Sequence, residues 1–276
     1  MRDTLVKMIP KSLKPILRTA YYFPFDVMES WSGKDSMIPP RSMIFIGAGD
    51  FIKIGKEFND YFTQFANLQT DHRVLDVGCG IGRMAIPLTN YLSNDGEYWG
   101  FDIVKKGIEW CQQRISPKFN NFRFAHSDVY NKYYNPSGTI PAKDYRFPYD
   151  DNYFDFVFLT SVFTHMLPID MENYLNQIAR VLKPKGRCLI TFFLLNEQSE
   201  ALIRAGRSTL PFLHKVEGCL TTDKEYPEDA IAYDEGFVLK LFEKHGLKIS
   251  QPIQYGSWCK RPTFLTYQDM IVAEKV

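Results

Sequence analysis

An apolar run, Val74 to Val77, enters a turn with glycine at three alternate positions, Gly78, Gly80 and Gly82. A helical pattern of Met84, Ala85, Ile86, Leu88, Tyr91 and Leu92 follows at once. Strand, glycine turn, helix is how an α/β sheet presents backbone N–H groups to a ligand at the carboxyl end of its first strand. A dinucleotide fingerprint needs G-x-G-x-x-G, with the third glycine letting the helix approach a pyrophosphate. Here the spacing is G-x-G-x-G, and Arg83 occupies the position of that third glycine. Asp76, two residues before Gly78, repels phosphate and favours a cation. The turn therefore suits a ligand with a positive charge and a compact polar tail.

Two more acids follow in the same chain order. Glu97 to Asp102 reads as a second strand, ending in a carboxylate about twenty residues past the turn. Its two acceptor oxygens can bind both hydroxyls of a ribose. Phe122 to Val129 reads as a third strand, placing Asp128 to accept from an adenine amino group and Val129 against the ring. Each acid alone would read as a cap or turn residue. Three in order after three successive strands point to one site for S-adenosylmethionine (SAM), whose sulfonium and α-ammonium carry the positive charge. The cofactor-binding set is Asp76, Gly78, Cys79, Gly80, Asp102, Ile103, Asp128, Val129 and Thr160.

On these residues the chain resembles the class I SAM-dependent methyltransferases. The resemblance runs through VLDVGCGIGR at 74–83, GFD at 100–102, SDV at 127–129, FPYDDNYFDFVFLTSVFTHML at 147–167 and IARVLKPKGRCLI at 178–190. It implies a Rossmann-like α/β fold with a seven-stranded, mostly parallel sheet in the order 3-2-1-4-5-7-6, strand seven antiparallel. It also implies SAM as cofactor and S-adenosylhomocysteine as product. Methyl transfer is an in-line displacement at an already activated carbon, so no metal is expected.

Around this unit we expect an appendage over 1–50 and the SAM-binding domain over 51–276. Asp50 reads as the N-cap of a helix with the stripe Phe51, Ile54, Phe58, Tyr61, Phe62 and Phe65. In the resembling enzymes such a helix lies beside the methionine end of the cofactor, so Gly47 to Asp50 would help close that site. Helices are expected at 82–93, 104–115, 170–182 and 237–244. Further strands are expected at 153–160, 187–195, 247–250 and 267–273, with an irregular insert over 130–150. Residues 196–233 are too long for a simple connection and read as a substrate-side lid.

Composition limits the partners. The net charge of +1 gives no general pull toward nucleic acid. Five scattered cysteines without a C-x-x-C pair suggest neither zinc nor redox chemistry and fit a reducing cytosol. No segment approaches the roughly 18 apolar residues of a membrane span. The first twenty residues are basic and amphipathic but interrupted by Pro10 and Pro15, and no A-x-A cleavage site follows. They read as a segment packing over the core, with peripheral membrane contact as the alternative. The 22 Phe and 16 Tyr serve either core packing or an aromatic-walled substrate pocket.

The end of strand four, Thr160-Ser-Val-Phe-Thr-His165, holds the candidate base. A histidine here, with an unperturbed pKa of about 6.5, suits proton abstraction near neutrality; alternatively it hydrogen-bonds the start of the next helix. Ser161 and Thr164 would orient base or substrate, or cap, and Phe163 would wall the pocket. His214, Tyr226 and Tyr233 in the insert are weaker acid–base candidates, while His72 and His126 read as structural. Amino-methylating nucleic-acid enzymes carry [DNS]-P-P-[FYW] after strand four, and this chain has Thr160-Ser-Val-Phe163 there. A small-molecule acceptor is favoured. SVFTHM with YDDNYFD resembles methyltransferases of bacterial natural-product and glycan pathways, which suggests O-methylation of a hydroxyl or carboxyl group. The alternatives are N- or C-methylation of a peptide or lipid, and a non-catalytic SAM-binding subunit.

Overall fold

The computed structural model describes residues 14–31, 33, 35–47 and 49–276. Seven strands form the main sheet: β1 (Arg73–Val77), β2 (Glu97–Asp102), β3 (Phe122–His126), β4 (Phe154–Leu159), β5 (Leu182–Phe192), β10 (Leu247–Gln254) and β11 (Asp269–Lys275). Their order is β10-β11-β5-β4-β1-β2-β3. β1 to β5 pair in parallel, while β11 runs antiparallel to both β5 and β10. The expected order, with the seventh strand reversed, is thus the observed one.

Period-two alternation distributes the strand side chains between two cores. Leu75, Val77, Phe101, Val157 and Leu159 face one side. Val74, Tyr98, Phe156, Phe158 and Leu189 face the other. Helix α2 (Phe51–Ala66) covers the second side. Asp50 caps it, accepting from the Lys53 N–H at 2.8 Å, and Phe62 lies 4.4 Å from Phe158 between ring centroids.

Several elements depart from the sequence expectation. The helix after the glycine turn, α3, covers only Ala85–Leu88, bounded by turns. Thr89 Oγ1 donates to the Ile86 carbonyl at 2.7 Å, a local bond that competes with helix continuation. Strand β5 begins at Leu182 and runs through Lys183–Gly186, where a turn was expected; Lys185 has φ +66° and the β4 register shifts between Phe154 and Phe156.

The 196–233 segment is not irregular. Helix α6 (Glu197–Arg204) is closed at its start by a capping box of Asn196 and Ser199. Strands β6 (Leu194–Leu195), β7 (His214–Val216), β8 (Cys219–Thr221) and β9 (Ile231–Asp234) make a second sheet in the order β6-β9-β8-β7. It packs on a small core that includes Phe193, Phe212 and Trp258. A buried ion pair ties the two sheets. Asp269 meets Arg261 at 2.8 Å and accepts from Leu194 N, Gly256 N and Trp258 Nε1, each at 2.7 Å.

The basic N-terminal stretch falls largely on residues 1–13, outside the described residues. The chain then forms α1 (Lys14–Trp31), which the two early prolines had argued against. Asp26 accepts from the backbone N–H groups of Arg41 and Ser42, and Glu29 pairs with Arg41. Tyr21, Phe23, Met28 and Trp31 remain exposed, so this helix does not bury its aromatic face in the core. Among the described residues no helix is long and apolar enough to cross a membrane.

Candidate active site

A cavity of about 1220 Å³ opens at the carboxyl ends of β1, β2 and β4. The glycine turn forms its floor. Gly78 and Gly80 have φ of +83° and +58°, and a Cβ on Gly78 would lie 2.4 Å from Val162 Cγ2. Both conformation and close approach therefore require glycine there. The turn's amides do not face a ligand as the sequence suggested. Gly78 N and Cys79 N donate to the Phe101 carbonyl at 2.9 and 3.1 Å, and Gly80 N donates to Asp102 Oδ2 at 2.8 Å. Strand β2 takes up these donors, so the turn contributes shape rather than hydrogen bonds. Cys79 is buried and packs against Gly100, where only a small side chain fits.

Asp76 and Asp102 both reach the cavity, with Ile103, Val129 and Thr160 on its walls. Asp102 also accepts from Val104 N at 2.7 Å. Burial raises its pKa, and these backbone donors oppose the shift. A carboxylate offers about four lone-pair sites, so two bonds leave capacity for ligand hydroxyls. Asp76 is 1% exposed; its Oδ2 accepts from the Tyr98 hydroxyl at 2.6 Å, and its buried Oδ1 has no partner among the described residues. Burial pushes this carboxyl up to about 8; the Tyr98 bond opposes the shift and nearby Asp102 adds to it. An orphaned, desolvated acceptor facing a cavity fits a cationic ligand group. The glycine cradle, the Asp102 hydroxyl site and this acceptor together fit SAM.

Asp128 does not line the cavity. Ser127 and Val129 are buried and line it, so by strand alternation the residue between them points outward. The Asp128 carboxylate is exposed and accepts from Thr139 Oγ1 at 2.5 Å. Phe163 and Thr164 do not reach the cavity either. They belong to a 3₁₀ turn, Phe163–His165, whose successive side chains diverge by about 120°. Both are fully buried, and Phe163 packs 5.5 Å from Phe192 between ring centroids, leaving His165 to face the cavity.

The second sheet fixes this turn. Tyr233, on β9, is buried and donates to the carbonyls of Phe163 and Met166. His165 Nδ1 lies 2.8 Å from the carbonyl of Glu228, just before β9. A carbonyl can only accept, so Nδ1 carries the proton and Nε2 is the basic nitrogen. Burial lowers the His165 pKa while the Glu228 carbonyl opposes the shift, keeping the ring neutral at pH 7. Neither Glu228 nor the role of Tyr233 was visible in sequence, because both act across 60 or more residues of chain. Ser161 lines the cavity with φ +60°, a left-handed conformation that costs a non-glycine residue about 1 kcal/mol or more. Its amide donates to Thr191 Oγ1 at 2.8 Å and its hydroxyl to Gln268 Oε1 at 2.9 Å. His72 contacts the Gln69 amide, and His126 is exposed, its Nε2 3.2 Å from the Ile103 carbonyl. His214 is exposed on β7. Among the described residues no His, Cys, Asp and Glu side chains are grouped to hold a metal ion.

Residues 75–190 match the family described as "Methyltransferase domain", the segment that builds β1 through most of β5. Fold, match and relatives together support a SAM-dependent methyltransferase enzyme. The chain is 23% identical over 147 residues to tRNA N(3)-cytidine methyltransferase METTL2 of Bos taurus, covering 52% of this chain and 35% of that protein. It is 30% identical over 127 residues to demethylmenaquinone methyltransferase of Staphylococcus epidermidis, covering 45% of each. It thus spans about a third to a half of the length of these curated relatives. The PH0226 protein from Pyrococcus horikoshii OT3 shares the fold at a TM-score of 0.58 and 17% identity, over 85% of this chain and 95% of that one.

Proposed function

We propose that this chain methylates an oxygen of a small-molecule acceptor, with His165 as general base. The observation that carries this reading is the His165 ring on the cavity wall, its Nδ1 held by the Glu228 carbonyl and its Nε2 left basic. When bound, SAM supplies a methyl group on a positively charged sulfur that is already a good leaving group. The chain must therefore align the acceptor and remove its proton. Asp76, Asp102 and the Gly78–Gly80 turn would hold the cofactor, and His165 Nε2 would take the hydroxyl proton.

The cavity volume of about 1220 Å³ exceeds the roughly 300–1,000 Å³ of ordinary ligand pockets, which leaves room for an acceptor beside the cofactor. Its outer wall carries Phe58, Tyr61, Tyr130, Tyr134 and Tyr267, a surface suited to a flat or apolar acceptor such as a natural-product ring or a glycan face. Glu217 and Glu228 bring the second sheet to the same wall, so the 196–233 segment is our candidate for the specificity lid. Five free, buried thiols accord with a reducing compartment such as the cytoplasm.

The tRNA relative matches over about half of this chain, and the matched family segment is the cofactor-binding half of the sheet; acceptor choice does not travel with it. The test is transfer of labelled methyl from SAM to panels of hydroxyl, carboxyl, amine and tRNA acceptors. Wild type should label hydroxyl compounds, and His165→Ala should lose about 100-fold or more in turnover while keeping SAM affinity. Labelling of tRNA or amines alone would overturn the acceptor class. Full activity of the variant on an acid would point to ester formation without a base. Tight SAM binding with no transfer to any acceptor would leave a binding subunit instead.

A further inference from the structure

Arg83, the residue that excluded a dinucleotide fingerprint, is not accounted for by the reading so far. It follows Gly82 at the edge of the glycine turn and lines the same cavity as Asp76. The turn is locked from behind, because α2 packs Gly55 against the Arg83 backbone, where a Cβ would sit 2.5 Å from the carbonyl oxygen. The side chain lies over the Phe51 ring at 5.7 Å and donates from Nη2 to the Gly47 carbonyl at 3.2 Å. Its Nε is buried with no hydrogen-bond partner, and no carboxylate among the described residues pairs with the guanidinium. Burial alone acts on its pKa, lowering it to about 10, so the group is still a cation at pH 7.

A desolvated guanidinium without a counter-ion is costly, and in a folded protein such a group ordinarily has an anion to meet. The cavity thus presents two orphaned polar atoms of opposite kind. Asp76 Oδ1 is a buried acceptor, and Arg83 Nε is a buried donor. That pair matches the zwitterionic end of an amino acid, an ammonium for the carboxylate and a carboxylate for the guanidinium. We infer that Arg83 binds the α-carboxylate of the methionyl part of SAM. This assignment rests on the SAM reading above and adds to it the one anionic contact that the three acids cannot supply. It also explains why a cation can line a site for a sulfonium: the ligand's tail is its only negative group.

The experiment is calorimetric titration of the full chain with SAM and with decarboxylated SAM, which keeps the sulfonium, ammonium and nucleoside and lacks only the carboxylate. Wild type should bind SAM about 10- to 100-fold more tightly, the range for a hydrogen-bonded charge pair. In Arg83→Gln that preference should collapse to within about threefold, with affinity for the decarboxylated ligand little changed; Arg83→Lys should recover part of it. Equal affinity of wild type for the two ligands overturns the assignment, with no variant needed. So does an undiminished preference in Arg83→Gln, which would make the residue structural. A wild type that binds neither ligand removes the SAM reading itself, and this assignment with it.

Discussion

In Asp76→Asn a buried carboxyl is exchanged for an amide of the same shape that can still accept from the Tyr98 hydroxyl. The wild-type group has its pKa raised from an ordinary 3.8 to about 8, chiefly by burial. The sign follows from proton counting. Between these two values the native state holds a proton that the unfolded state releases, so stability falls as pH rises through the window. The slope from this one residue is about 1.4 kcal/mol per pH unit, and the sum across the window is on the order of 5 kcal/mol. The asparagine variant lacks this dependence. Urea unfolding of both proteins at unit steps between about pH 5 and about pH 8 should show the stability difference shifting in favour of the variant by about 1.4 kcal/mol per unit. The same variant should lose SAM affinity, because the amide cannot pair with an ammonium. In wild type, SAM binding at pH 7 should release about 0.9 of a proton, measurable as a buffer-dependent heat in calorimetry. Parallel pH profiles for the two proteins, or binding without proton release, would refute the argument that this carboxyl is held neutral for a cation.

Three further outcomes test other parts of the site. The pH–rate profile of wild type should keep its activity at pH 6 and lose it only below, since burial lowers the His165 pKa from 6.5 and the base must be neutral; that acid limb should disappear in His165→Gln. Gly78→Ala forces a side chain into φ +83° and 2.4 Å from Val162 Cγ2, so thermal denaturation should report a loss of about 1–3 kcal/mol, and SAM binding should fall with it. Arg261→Met leaves Asp269 as a buried, unpaired carboxylate between the two sheets, and chemical denaturation should show a loss of about 3–5 kcal/mol.

The sheet was legible in the sequence because each of its signals is local. Val74 to Val77 followed by glycines, and Tyr153 to Thr160 as an unbroken apolar run, describe buried parallel strands without reference to anything distant. Order, the reversed last strand and the positions of Asp76 and Asp102 at strand ends follow from that pattern together with the family resemblance. Side-chain direction past a strand end was not legible. Asp128, Phe163 and Thr164 sit at the right place in the chain, yet they turn away from the cavity, since a residue or two beyond the regular ladder the backbone no longer dictates a face. Burial of the Arg83 Nε and its lack of a counter-ion could not be read from composition, because both depend on what α2 and the Gly47 loop bring against it. The long insert yielded its length but not its form. Its strands are two to four residues each and become a sheet only by pairing across the chain, where Tyr233 and Glu228 meet the His165 turn. Local patterning of apolar residues and glycines thus determined the scaffold and where a ligand sits. Long-range packing decided which side chains point at it, because orientation and desolvation belong to the assembled neighbourhood rather than to any single segment.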